Sequence, residues 1–212
     1  TVHFTGSDAQ AALPADYTFV AGDNGAHAFS ATLKTAGTQS LTATDAGASV
    51  TGTQSGIVVN PAAANALVVA GYPSPVTAGT SNGFTLTAKD AFGNTATGYA
   101  GSVHFTSSDA QATLPSNYAF TPADNGTHAF NAMLNTAGAQ SLTATDTVTG
   151  TLTGTQSGIV VNAAAASRFV VAGGCRGHRP RAHEHAGEHE CEGEPRHPGE
   201  PEDPPSDPRA QS

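Results

Sequence analysis

Tryptophan is absent, methionine occurs once, cysteine twice, and only 12% of the 212 residues are charged, against a usual share of about 25%. Two cysteines make no disulfide framework. No window approaches the roughly 18 consecutive apolar residues of a membrane helix, which excludes a helical span in this chain. Lys and Arg number 8 against 17 Asp and Glu, and the net charge of −9 excludes the basic face of a nucleic-acid-binding domain. The chain opens on Thr1-Val2-His3-Phe4, in the middle of a strand-like pattern. It carries no basic-then-apolar leader there, and reads as a fragment.

What is present falls into two unlike pieces. Residues 1–174 contain no Glu, and their charges are eight Asp against Lys34, Lys89 and Arg168. All 28 Thr lie in this piece, the last being Thr155. Residues 175–212 hold all seven Glu, both Cys, five of the nine His and seven of the thirteen Pro, with no Val, Ile, Leu, Phe, Tyr, Met or Thr. A segment without large apolar side chains cannot offset the entropy of ordering it, which predicts disorder over 175–212.

The first piece repeats itself, and such a period governs the reading of the fold. Residues 2–45 and 103–146 are identical at 31 of 44 positions, and the run Thr51 to Asn60 returns unchanged as 153–162. A third copy shows only Val170-Val171-Ala172-Gly173, matching Val68-Val69-Ala70-Gly71, before the likeness stops. The period is about 100 residues, the size of one compact domain. The expected organisation is the C-terminal part of one repeat over 1–61, a complete repeat over 62–162, the first strand of a truncated third over 163–174, and the tail.

Each repeat is expected to be β structure. In Phe84-Thr-Leu-Thr-Ala88, Phe84, Leu86 and Ala88 face one side and the threonines the other. Tyr99, Val103 and Phe105 share a parity, as do Phe130 and Leu134, and Leu142 and Ala144. The run Ile159-Val160-Val161 reads as covered on both faces. Turn chemistry separates these runs at Asp90–Asn94, Leu114–Asn117, Asp124–Gly126 and Asn135–Gly138. Seven strands follow, near 66–70, 83–89, 98–106, 117–121, 127–134, 140–146 and 152–161. This is the pattern of a sandwich, and β-branched Thr suits its outer faces. No long stretch sustains a helical period.

The stretches Ala88-Lys-Asp-Ala-Phe-Gly-Asn94, Val103-His-Phe-Thr-Ser-Ser-Asp109 and Asp124-Asn-Gly-Thr-His-Ala-Phe130 resemble the tandem repeats of bacterial Ig-like domains of the Big, invasin or intimin type. The resemblance covers roughly 1–173. It implies all-β, Ig-like β-sandwich repeats in an extracellular or cell-surface protein, used as stalk, spacer or adhesive modules. It implies no catalytic residues and no cofactor. The partners it implies are neighbouring repeats of the same chain and a host or surface glycan or protein.

Individual residues weigh lightly against this background. His3 and His104 alternate with core positions and read as exposed strand histidines; His27 and His128 read as half-buried at a strand entrance. The eight Asp lie singly at strand ends beside Gly and Asn, where Asx turns explain them better than a Ca²⁺ site does. No nucleophile elbow marks a hydrolase. Binding, if present, belongs on loop tips such as 90–97 or 107–116. Most aromatics have core parity, but Tyr72 and Phe92 do not, which makes them the two candidates for a glycan platform.

The tail carries the densest set of potential ligands: His183, His185, His189 and Cys191, with Glu188 completing an H-x-x-E-H pattern. Such a protease motif needs a helix with an apolar docking face. Gly187 interrupts this one, and no such face exists, which leaves adventitious binding of Zn²⁺, Ni²⁺ or Cu²⁺. The tail starts where the third repeat should continue and uses only residues with GC-rich codons, as an out-of-frame translation would. The expected function is a non-enzymatic spacer in a bacterial cell-surface or secreted repeat protein. The alternative is a carbohydrate-binding or spacing module beside an extracellular enzyme domain.

Overall fold

The alternating pattern becomes eleven strands and two single 3₁₀ turns over residues 1–170, which the computed structural model describes. The first repeat contributes β1 (Val2–Gly6), β2 (Gly37–Asp45) and β3 (Val50–Val59), hydrogen-bonded in that order. The complete repeat runs through β4 (Ala66–Ala70), β5 (Val76–Thr77), β6 (Thr80–Lys89), β7 (Ser102–Ser107), β8 (Tyr118–Ala119), β9 (Thr127–Leu134), β10 (Gly138–Asp146) and β11 (Thr153–Asn162).

These eight strands make two sheets, β4-β6-β9 and β5-β11-β10-β7-β8. Pairing is antiparallel except between β5 and β11. The start of the repeat therefore serves both layers: β4 pairs β6 in one sheet, and β5 joins the other after the crossing at 71–75. The two sheets make an all-β sandwich.

The core forms where the inward parities of the two sheets meet. Leu67, Val69, Phe84 and Leu86 from one layer face Val103, Phe105, Leu142, Ala144, Ile159 and Val161 from the other, all buried. Burying each of the larger aliphatic or aromatic side chains contributes about 1.5–3 kcal/mol. Phe105 lies 4.7 Å from Phe130 and 5.7 Å from Phe84, centroid to centroid, within the range of favourable tilted and edge-on aromatic pairs. Gly154 of β11 lies against the backbone of Leu67, and a Cβ there would collide with that carbonyl. The absence of a side chain at this position lets β4 close over β11.

The seven expected strands are found, with four differences. A strand not expected, the two-residue β5, pairs in parallel with β11. The segment from 98 to 101 is a turn, and its strand begins at Ser102. Ile159 and Val161 are fully covered, but Val160 is 46% exposed, because β11 lies in an outer layer with a single apolar face. Residues 163–170 carry no strand, and Phe169 and Val170 are exposed. In the complete repeat the corresponding strand, β4, exists by pairing with β6, and the sequence beyond Gly173 offers no match to β6.

The first repeat shows the same dependence. Residues 26–33 repeat the sequence of β9 closely but form no strand; β9 itself is paired along its whole length with β6. Without that layer the inward face of β1–β3 stays open. Phe4, Leu13, Phe29 and Leu41 line a groove of about 320 Å³, whereas their counterparts Phe105, Phe130 and Leu142 are buried.

Candidate functional site at the joint between repeats

Buried carboxylates organise the loops. Asp109 Oδ1 accepts from the Gln111 N–H at 2.9 Å and the Thr136 hydroxyl at 2.7 Å. Its Oδ2 accepts from the N–H groups of Asn135 and Thr136 at 2.6 and 2.8 Å. Asp8 binds Gln10, Lys34 and Thr35 in the same way in the first repeat. The Asx turn expected at these positions is therefore half of the arrangement. The other oxygen fastens a turn more than twenty residues away, a function no local pattern announces. Burial opposes ionisation of Asp109, yet the Thr136 hydroxyl and three backbone N–H groups outweigh it and hold the carboxyl at about 2.

The Asp90–Asn94 loop extends the same chemistry across the joint. Asp90 is buried; its Oδ1 accepts from the N–H groups of Phe92 and Asn94 at 2.9 and 2.8 Å. Its Oδ2 accepts from the Asn94 amide at 2.8 Å and from the N–H of Ala62, in the linker, at 2.9 Å. Burial again raises the carboxyl and these donors lower it further, to about 2. Gly93 sits at φ +87°, a left-handed conformation that favours glycine.

Asn94 then reaches the preceding repeat. Its Nδ2 donates to the Lys34 carbonyl at 2.7 Å, and its Oδ1 accepts from the Ala36 N–H at 2.9 Å. Gln10 Nε2 donates to the Phe92 carbonyl at 3.3 Å, and Lys34 Nζ lies 5.9 Å from the centre of the Phe92 ring, within cation–π range. Beside this joint, a groove of about 630 Å³ runs between linker residues 60–64 and residues 96–101. Its carboxylate, Asp146, is already engaged by the Tyr99 hydroxyl at 2.5 Å and by the N–H groups of Val148 and Thr149. Burial and that carboxylate push the Tyr99 hydroxyl well above its ordinary pKa. The groove therefore offers small side chains and satisfied polar groups rather than a reactive centre.

The two aromatic candidates part company. Tyr72 is buried, 3% exposed, with its hydroxyl donating to the Ala132 carbonyl at 3.3 Å. It follows β4 at the crossing between layers, where strand parity no longer tells inside from outside, and so it presents no ring to a ligand. Phe92 is 40% exposed, but it stands at the joint under Lys34 rather than on a free loop tip. His183, His185, His189 and Cys191 lie outside the described residues. Among the described residues no group of three or more His, Cys, Asp or Glu is placed to hold a metal ion.

The four histidines among the described residues have structural partners. His128 Nδ1 is 2.7 Å from Asp124 Oδ1, and its ring stacks on Tyr118 at 4.1 Å. His27 repeats this with Asp23 at 3.1 Å and Tyr17 at 4.0 Å. His104 and His3 sit on outward positions, bonded to Asn117 at 2.8 Å and Asp16 at 2.7 Å. The Asn94 contact was legible only as a motif: Asp-x-x-Gly-Asn marks a turn, and nothing local names what the turn touches.

No protein-family model and no curated protein matches the sequence. Among solved structures, the chain is similar to domains 1–6 of the surface layer protein SbsC, at 20% identity and a TM-score of 0.37, covering 78% of this chain and 20% of that one. It is also similar to SbsC domains 4 and 5, at 23% identity and a TM-score of 0.36, covering 77% of this chain and 70% of that one. Against the S-layer protein rSbsC(31-844) the identity is 21% and the TM-score 0.36, covering 80% of this chain and 21% of that one. The chain thus spans about a fifth of the longer chains it matches.

Proposed function

We propose that this chain is a non-enzymatic spacer, a run of Ig-like repeats in a bacterial cell-surface or secreted protein, with repeat boundaries at 1–61, 62–162 and 163–174. The observation that carries the reading is the use made of polar chemistry. Asp8, Asp90, Asp109 and Asp146, the buried carboxylates, all spend their oxygens on holding loops, linker and turns. Side chains so committed are poor acids, bases or ligands, because each is already saturated by donors. The extracellular setting and the neighbouring repeats as partners follow from the resemblance to bacterial Ig-like domains.

Glycan-array screening of the intact chain tests the reading directly. No saturable binding is expected. Specific binding that disappears on Phe92→Ala would replace the spacer with a carbohydrate-binding module.

A further inference from the structure

We propose that the Asp90–Asn94 loop is a clasp that fixes one repeat on the preceding one, and that the turn Asn135–Ala137 is the matching seat for the same loop of a further repeat. This deepens the spacer reading, on which it rests for its use in a surface protein. The contact itself stands on geometry.

Two copies of one turn can be compared within the molecule. Lys34-Thr35-Ala36 and Asn135-Thr136-Ala137 occupy equivalent places, each anchored by a buried Asp through the same set of bonds. At the first, the Ala36 N–H and the Lys34 carbonyl are taken by Asn94. At the second, the Ala137 N–H and the Asn135 carbonyl have no partner among the described residues. Thr35 and Ala36 are half-buried, whereas Thr136 and Ala137 are exposed. Gln10 and its counterpart Gln111 are both exposed, but only Gln10 Nε2 has a partner among the described residues, the Phe92 carbonyl. The complete repeat therefore presents a carbonyl and an N–H at the spacing that an asparagine side chain bridges one repeat earlier. The partner this seat fits is the side-chain amide of an Asp-x-Phe-Gly-Asn loop, delivered on a short linker whose N–H is tied to the loop's own aspartate.

Amide hydrogen exchange of the intact chain reads the clasp residue by residue. Ala36 and Ala137 both follow Thr and precede Gly, so their intrinsic rates match, and a clasped Ala36 should exchange at least about tenfold more slowly than Ala137. Asn94→Ala should bring the two together while protection at Leu86 and Leu134 is unchanged. The pair Gln10→Ala and Lys34→Ala loosens the joint from the other side without altering the 90–94 loop, and should lower Ala36 protection in part. Residual dipolar couplings from β2–β3 and β6–β10 should fit one alignment frame in the unaltered chain and two in Asn94→Ala. Adding a second copy of residues 61–162 in frame after Asn162 should protect Ala137.

Equal exchange at Ala36 and Ala137 in the unaltered chain overturns the clasp and leaves a spacer of freely jointed repeats. An Ala137 that stays unprotected in the extended chain overturns the repeating seat. Glycan binding overturns the spacer and leaves the clasp standing.

Discussion

Gln156 holds both backbone groups of Tyr72: its Oε1 accepts the Tyr72 N–H at 3.0 Å, and its Nε2 donates to the Tyr72 carbonyl at 2.7 Å. The side chain stands in for a neighbouring strand at the point where the chain leaves β4 and has not yet reached β5. Its counterpart Gln54 lines the open groove of the first repeat and has no side-chain hydrogen bond among the described residues.

The pair makes an internal control. Gln156→Leu should destabilise the complete repeat by about 1–3 kcal/mol, the cost of leaving buried backbone groups unpaired. Gln54→Leu should fall within about 0.5 kcal/mol, as surface changes do. Urea denaturation of the two variants measures both, and equal effects would remove the special role of Gln156.

Asp109 and Asp90 make stability depend on acid. Both carboxyls sit near 2 in the fold against an ordinary 3.8, so the folded state binds their protons more weakly than the unfolded chain does. Their contribution is present above about pH 4 and drains away as pH falls from there through 2. Denaturation midpoints between pH 2 and 6 should therefore rise with pH and then level. Asp109→Asn should flatten part of the rise below pH 4, and a midpoint independent of pH across that window would contradict the assignment.

Neighbours on β11 should respond oppositely to substitution. Ile159 is fully buried, and Ile159→Ala should cost about 2–5 kcal/mol. Val160 faces outward, and Val160→Thr should change stability by no more than about 0.5 kcal/mol. Thermal unfolding of the two variants decides whether one face of β11 or both are covered.

Limited proteolysis should open the first repeat before the second. Residues 26–33 have only the single bridge of Thr32 to Ala12, while β9 is paired throughout, and unpaired exposed backbone is the preferred site of cleavage. A resistant fragment near 62–162 is expected by mass spectrometry. Early cuts inside that fragment would move the boundaries.

Seven of the eight strands of the complete repeat were legible in the residues alone, and for a physical reason; β5, two residues long, shows no alternation to read. A strand turns successive side chains to opposite faces, so the alternation in Phe84–Ala88 or Leu142–Ala144 reports direction without knowledge of any partner. The same local rule misplaced Tyr72 and Val160, because a crossing has no fixed parity and an apolar run does not say how many faces are covered.

By itself, the order of amino acids determined the period, the two-faced strands, the turns and the inward residues, all of which arise from conformational and solvation preferences acting within a few positions. Tertiary structure decided whether those preferences were realised. Nearly the same residues are a strand at 127–134 and none at 26–33, because only one of them meets β6. It also decided what each carboxylate and amide holds. Asp109 reaches across 27 residues to Thr136, Asn94 across 58 to Ala36 and Gln156 across 84 to Tyr72. Hydrogen bonds are short and directional, so partners that distant in the chain are chosen only when the fold sets them side by side.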